Sequence, residues 1–130
     1  MIDSIKIKYD GKINKIYHIA DIHIRNLQRH SEYSEVFERL YDYIAKTKTD
    51  DAVIVLAGDI VHAKTDMTPE VVNMTQTFLK RLSDMLPVIL IPGNHDANLN
   101  NPSRLDALSP IVNALSHPNL HYLKDDGVWD

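Results

Sequence analysis

Residues 52–59 read Ala-Val-Ile-Val-Leu-Ala-Gly-Asp, a short apolar run that ends on a glycine and a carboxylate. A run of this length, rich in β-branched residues and without polar alternation, is typical of a central strand in a parallel sheet. Residues 16–20 and 88–91 form two further apolar runs, one on each side along the chain. We therefore expect a sheet built around residues 52–57.

Helical periodicity separates these apolar runs. One face of an amphipathic helix is predicted by the spacing of Tyr33, Val36, Phe37, Leu40, Tyr41 and Ile44. Residues 68–70, Thr-Pro-Glu, have the composition of a helix start, and Pro87 ends that helix before the next strand. The pairs Asn-Pro at 101–102 and Ser-Pro at 109–110 predict two more helix starts, and residues 120–123 resemble a last short strand.

The N-terminal segment is predicted to form a hairpin. Its arms are residues 5–9 and 13–20, and Asp10-Gly11 is the turn signal between them. The complete order is then β-β-α-β-α-β-α-β, which indicates an α/β layered sheet with right-handed crossovers. Residues 1–130 contain no repeat or linker, so a single domain is expected.

Composition excludes several classes of protein. The chain has no cysteine, so a metal would be held by His, Asp, Glu, Asn or backbone oxygens. No apolar run approaches the roughly 18–20 residues of a membrane span, and the N-terminus lacks the apolar core of a signal peptide, so an intracellular protein is expected. The net charge of −4 neither supports nor excludes nucleic acid, since metal ions at a carboxylate site reverse the local charge.

Polar clusters follow the carboxyl ends of the three central strands. They are Asp21-Ile22-His23, Gly58-Asp59-Ile60-Val61-His62 and Gly93-Asn94-His95-Asp96. Loops beyond the carboxyl ends of parallel strands converge into a crevice where ligands bind. We therefore expect these clusters to meet at one edge of the sheet.

The residue types in the clusters suit a divalent metal ion. In an extended Asp-x-His segment, period-two alternation would aim both side chains the same way. A carboxylate and an imidazole together suit Mn, Fe or Zn, and the two oxygens of Asp59 could bridge two ions. His95 is available for proton transfer, because a group with a pKa near about 6.5 is useful at neutral pH.

With these residues in this order, the sequence resembles the calcineurin-like metallophosphoesterases. Asp21-x-His23, Gly58-Asp59 and Gly93-Asn94-His95-Asp96 look like the first three motifs of that superfamily. The continuation Ile-Val-His at 60–62 and the segment Pro-Ser-Arg-Leu-Asp-Ala-Leu at 102–108 resemble its double-strand-break repair nucleases (SbcD-type). The resemblance implies an α-β-β-α sandwich, of which this chain would form the N-terminal half.

The resemblance also implies a role for each matching residue. Asp21 and His23 would bind a first metal ion, Asp59 would bridge two ions, and Asn94 would bind the second. His95 would act on the leaving oxygen, and His62 would position the phosphate or nucleotide. Three further residues are candidates from their own chemistry and not from the resemblance. Asp96 would cap the turn or orient His95. Arg25 and Arg104 could contact phosphate, although exposed arginines near helix starts are common.

The implied activity is DNA end processing, by in-line attack on phosphorus of a water held between two divalent ions, Mn²⁺ being preferred. The implied partners are DNA, an SMC-like ATPase and a second copy of the chain. The family's later Gly-His and Gly-His-x-His motifs do not occur in these 130 residues, where His117 follows Ser116 and His121 follows Leu120. We therefore expect a fragment of a longer enzyme, with weak metal binding and negligible turnover by itself.

Two other functions remain open from the sequence. The first is a phosphomonoesterase or cyclic-nucleotide phosphodiesterase of the same superfamily, against which His62 favours the nuclease. The second is a non-catalytic scaffold with the same fold. Retention of Asp21, His23, Asp59, Asn94 and His95 argues against such a loss within this segment.

Overall fold

The computed structural model describes residues 2–3, 5, 7, 11–25, 30–61, 67–93, 106–125 and 127–129. The strands and the helices within this part of the chain are each numbered in chain order. They are β1 (Ile2–Asp3), β2 (Lys15–Ile19), α1 (His30–Thr47), β3 (Ala52–Ala57), α2 (Pro69–Met85), β4 (Val88–Ile91), α3 (Ser109–Leu115), β5 (Leu120–Tyr122) and β6 (Val128–Trp129).

The central sheet is parallel, with the strand order β2-β3-β4-β5. Ile19 is the register partner of Leu56, and Ala57 is the partner of Ile91. Each pair of neighbouring strands is joined through one helix, and α2 packs against both α1 and α3, so the helices form one layer. The predicted α/β class and layered parallel sheet are confirmed.

The hydrophobic core lies between this helix layer and the sheet. The sheet side chains on the helix side are buried, with Ile54, Leu56 and Leu90 all fully inaccessible. On the opposite face, Ile16 is 60% exposed and Ile91 is 42% exposed. The helix side is therefore the more completely buried face of the sheet, although Val53 on the opposite face of the central strand is also only 1% exposed.

An aromatic cluster joins α1 to α2. The ring centroids of Phe37 and Phe78 are 4.4 Å apart, and Tyr41 packs against the same Phe78 ring at 6.3 Å. Arg81 lies over the Tyr41 ring at 4.3 Å and forms an ion pair with Glu38 at 3.2 Å. Burial raises the pKa of Tyr41 to about 12, although the Arg81 charge acts in the opposite direction.

The helix ends follow the sequence signals. Thr68 is the N-cap of α2, where its hydroxyl accepts from the Val71 amide at 3.4 Å, and Pro69 occupies the first turn. At the start of α3 the capping side chain is an aspartate and not the serine of the Ser-Pro pair. The buried Asp106 carboxylate accepts from the amides of Leu108 and Ser109 and from the Ser109 hydroxyl.

The predicted N-terminal hairpin is wrong at the residues the structure describes. Ile5 and Ile7 belong to no strand, and the rest of the first arm lies outside the described residues. Ile2–Asp3 instead pairs in parallel with Val128–Trp129. The predicted helix start at 101–102 also lies outside the described residues.

Candidate metal centre

Two loops run side by side beyond the carboxyl ends of β2 and β3. The Asp21 amide donates to the Gly58 carbonyl at 3.2 Å, and the His23 amide donates to the Asp59 carbonyl at 2.9 Å. The Ile24 amide then donates to the Ile60 carbonyl at 2.9 Å. The parallel pairing of the strands is thus continued by the loops, which fixes the two polar clusters relative to each other.

The backbone at the candidate ligands is left-handed. The φ angles are 56° at Asp21, 53° at His23 and 52° at Asp59. The extended Asp-x-His segment expected from the sequence is therefore wrong, and period-two alternation does not explain how the side chains converge. Left-handed residues other than glycine cost on the order of 1–3 kcal/mol each, so the hydrogen bonds between the loops must maintain this conformation.

The side chains of Asp21, His23 and Asp59 nevertheless meet. His23 Nε2 lies 3.6 Å from Asp21 Oδ1 and 4.0 Å from Asp59 Oδ2. One ligand atom from each residue falls within 4.8 Å of the other two. The side chains are 72%, 29% and 15% exposed in that order, so Asp59 is the most enclosed of the three and Asp21 faces solvent.

This cluster fits a divalent transition metal. Bonds of about 2.0–2.2 Å place neighbouring ligand atoms about 3–3.5 Å apart, so small side-chain rotations would close the set around one ion. A set of two carboxylates and one imidazole suits Mn, Fe or Zn. It suits Mg and Ca less well, because those ions prefer ligands that are all oxygen. Asp21, His23 and Asp59 are thus the residues that would hold a metal here.

Two glycines allow the loops after β3 and β4 to approach closely. A Cβ on Gly58 would lie 2.8 Å from the Gly93 Cα, and Gly58 also has a φ of 84°. A Cβ on Gly93 would lie 2.1 Å from Asp59 Oδ1 and 2.4 Å from the Asp59 amide nitrogen. The Asp59 carboxylate therefore occupies the space that a side chain at position 93 would need.

One contact to the centre was missed by the sequence analysis, which placed Tyr33 only on the inner face of a helix. The Tyr33 hydroxyl donates to the His23 carbonyl at 2.6 Å. The sequence signal for this contact was weak, because Tyr41 lies on the same face and only the position of Tyr33 in the first turn sets it apart.

The remaining predicted site residues differ in what the structure says of them. Arg25 is described, and its side chain is exposed beside the His23 loop. The others lie outside the described residues: His62, Asn94, His95, Asp96 and Arg104. Their roles stay predictions.

Comparisons with known proteins bear on the family and the fold of this chain. Residues 14–129 match the sequence model of the family described as calcineurin-like phosphoesterase. The chain is 52% identical over 132 residues to the uncharacterized protein R555 of Acanthamoeba polyphaga mimivirus, covering 98% of this chain and 10% of that protein. Nuclease MPE of Pseudomonas putida has a similar fold, with a TM-score of 0.52 and 23% identity over 87% of this chain and 48% of its own.

The chain thus spans about a tenth of the length of R555 and about half of the length of nuclease MPE. Within the described residues, no helix combines the length and the apolar character that crossing a bilayer requires.

Proposed function

The chain belongs to the calcineurin-like phosphoesterase family, and on that premise we propose that it forms part of the metal centre of a phosphoester hydrolase. The observation that carries the proposal is the convergence of Asp21, His23 and Asp59 at the carboxyl edge of the parallel sheet. The family uses divalent metal ions, and the three ligand types fit them. Non-catalytic use of the fold would not require these groups to converge.

Each residue contributes a separate property to this centre. Asp59, the most enclosed of the three, would be the ligand that bridges two ions if the resemblance holds. His23 would contribute an imidazole nitrogen, and the exposed Asp21 would close the set from the solvent side. Bound divalent ions would polarise the phosphate and promote deprotonation of a nucleophilic water.

We further propose that the substrate is the phosphodiester backbone of DNA at duplex ends. The support is the nuclease-like continuation at 60–62 and 102–108, together with a fold shared with a bacterial nuclease. Mn²⁺ is the proposed ion, with Asn94 as a ligand of a second ion and His95 and His62 as the catalytic histidines. An SMC-like ATPase and a second copy of the chain are the proposed protein partners.

Metal binding by the 130-residue chain tests the centre directly. We expect calorimetric titration with MnCl₂ to show weak binding, and Asp59→Asn to lower the affinity by more than the roughly 10- to 100-fold typical of residues that only support a ligand. Asp42→Asn is the matched control, because Asp42 is exposed on α1 and the charge change is identical. No measurable binding to the wild-type chain, or equal losses in the two variants, would contradict the proposal.

The substrate class is tested with the same chain. We expect Mn²⁺ to strengthen binding of a fluorescent blunt-ended DNA hairpin, and Asp59→Asn to remove that gain. Excess p-nitrophenyl phosphate should compete poorly, whereas equal competition by this monoester would favour a phosphomonoesterase. Turnover of DNA is expected to stay near background, so hydrolysis at ordinary enzymatic rates would refute the expectation that these 130 residues are inactive alone.

A further inference from the structure

We propose that Tyr33 is a positioning residue for the metal centre, acting through the backbone of His23. This inference rests on the proposed role of His23 as a metal ligand. Tyr33 lies on α1, one turn from the helix start, and its hydroxyl donates to the His23 carbonyl at 2.6 Å. The bond therefore ties the first helix to the loop that carries two of the candidate ligands.

The backbone of His23 is bonded on both sides. Its amide donates to the Asp59 carbonyl at 2.9 Å, while its carbonyl accepts from Tyr33. These two bonds hold His23 at a φ of 53°, a conformation that is unfavourable for most residues other than glycine. The Ile24 amide of the same peptide donates to the Ile60 carbonyl at 2.9 Å, so without the Tyr33 bond this peptide would be held on one side only. The His23 backbone would then relax toward an ordinary conformation, which would shift the imidazole relative to Asp21 and Asp59.

The position of the Tyr33 hydroxyl is set by the core. The Tyr33 ring packs against Phe37 with centroids 5.8 Å apart, and Phe37 packs against Phe78 at 4.4 Å. Phe37 is 7% exposed and Phe78 is fully buried, so this row of rings is fixed between α1 and α2. A cavity of about 480 Å³, lined in part by Ile22 and Tyr33, adjoins the ring. The ring of Tyr33 is therefore packed against Phe37 on one side and open to this cavity on another, and its hydroxyl connects the helix layer to the loop.

The variant Tyr33→Phe removes the hydroxyl and keeps the ring. Tyr43→Phe is the matched control, because Tyr43 is on the same helix, is 59% exposed and packs edge-on against Tyr17. Both variants are compared with the wild-type chain by calorimetric titration with MnCl₂, by the visible absorption spectrum after loading with Co²⁺, and by thermal unfolding without metal.

We expect Tyr33→Phe to weaken Mn²⁺ binding by roughly 10-fold or more, as residues that orient metal ligands do, and to change the Co²⁺ spectrum. Its Tm should fall by a few degrees, about the effect of one hydrogen bond, while Tyr43→Phe leaves affinity and spectrum unchanged. A lower Tm with wild-type affinity and spectrum would show that Tyr33 only stabilises the fold, and would overturn the proposal.

The outcome for Tyr33 is separable from that for the proposed function. If the wild-type chain binds Mn²⁺ and Asp59→Asn abolishes it, an unaffected Tyr33→Phe refutes the positioning role and leaves the metal centre standing. If the wild-type chain does not bind Mn²⁺, both proposals fail together.

Discussion

Replacing Gly93 with alanine would test how the loop after β4 contributes to the metal centre. The added Cβ would lie 2.1 Å from Asp59 Oδ1, 2.6 Å from Asp59 Cγ and 2.4 Å from the Asp59 amide nitrogen. Contacts of a real Cβ essentially never fall under 3.0 Å. Rotation of the carboxylate can relieve the first two contacts, whereas the third is with backbone and requires the loops to separate.

The size of the effect follows from these distances. Moving the carboxylate oxygen from 2.1 to at least 3.0 Å displaces it by about 0.9 Å from the Gly93 side. Metal–ligand distances tolerate only about 0.2 Å, so we expect Mn²⁺ affinity to fall by at least about 10-fold. Overpacking of this kind typically costs about 1–3 kcal/mol of stability, which corresponds to a lower Tm by roughly 4 °C per kcal/mol.

The assay is calorimetric titration with MnCl₂ combined with thermal unfolding, and Gly11→Ala is the matched control. Gly11 has a φ of 106°, but a Cβ added to it would meet nothing within 4 Å, so alanine there adds backbone strain without a clash. That strain costs about 1–2 kcal/mol, so the control should lower the Tm to a similar degree and leave Mn²⁺ affinity unchanged. Wild-type Mn²⁺ affinity in Gly93→Ala would refute the idea that this glycine makes room for Asp59.

Two further predictions concern the fold that supports the centre. Burial raises the pKa of Asp106, but the hydrogen bonds from Ser109 and Leu108 outweigh it and hold the pKa below the usual value. A depressed pKa contributes stability that is full above the unfolded value of about 3.9 and is lost as the pH falls through the folded value. Asp106→Asn should therefore lower the urea-unfolding free energy at pH 7 by about 1.5–3 kcal/mol, and this loss should shrink as the pH falls below about 4, whereas a loss that does not change with pH would contradict this. Phe78→Ala should lower the same free energy by about 3–5 kcal/mol, because the fully buried ring contacts Phe37, and a loss under about 1 kcal/mol would show that the two helices are not joined there.

The sequence predicted the regular elements well because their signals are local. The strands Ala52–Ala57 and Val88–Ile91 were predicted with their observed bounds, since each is an apolar run between clear breaks. The start of Pro69–Met85 was predicted from Thr-Pro-Glu, because capping depends on neighbouring residues alone.

Features that depend on distant parts of the chain were not predictable in this way. The turn signal Asp10-Gly11 suggested a local hairpin, yet Ile2–Asp3 pairs with Val128–Trp129 at the other end of the sequence. Likewise, the left-handed conformation of His23 depends on its bonds to Asp59 and Tyr33, which no spacing rule contains.

The meeting of Asp21, His23 and Asp59 at one edge of the sheet was predictable from the sequence but its geometry was not, and the register of the sheet explains the difference. Ile19 pairs with Leu56, and Ala57 pairs with Ile91. Continued past the strand ends, these pairings bring Asp21 level with Gly58 and Gly93 level with Asp59. This agrees with the observed bond from the Asp21 amide to the Gly58 carbonyl and with the absence of room for a side chain at position 93.

A slip of one residue in either pairing would turn every strand side chain to the other face, so burial of Ile54, Leu56 and Leu90 against the helices disfavours it. The same apolar positions that form the core thereby fix how Asp21, His23 and Asp59 meet. Because that alignment is a property of packed strands, the ligand geometry should be lost together with tertiary structure. Mn²⁺ binding and the cooperative unfolding of the sheet are accordingly expected to disappear at the same urea concentration, and Mn²⁺ binding that outlasts the unfolding would argue against this dependence.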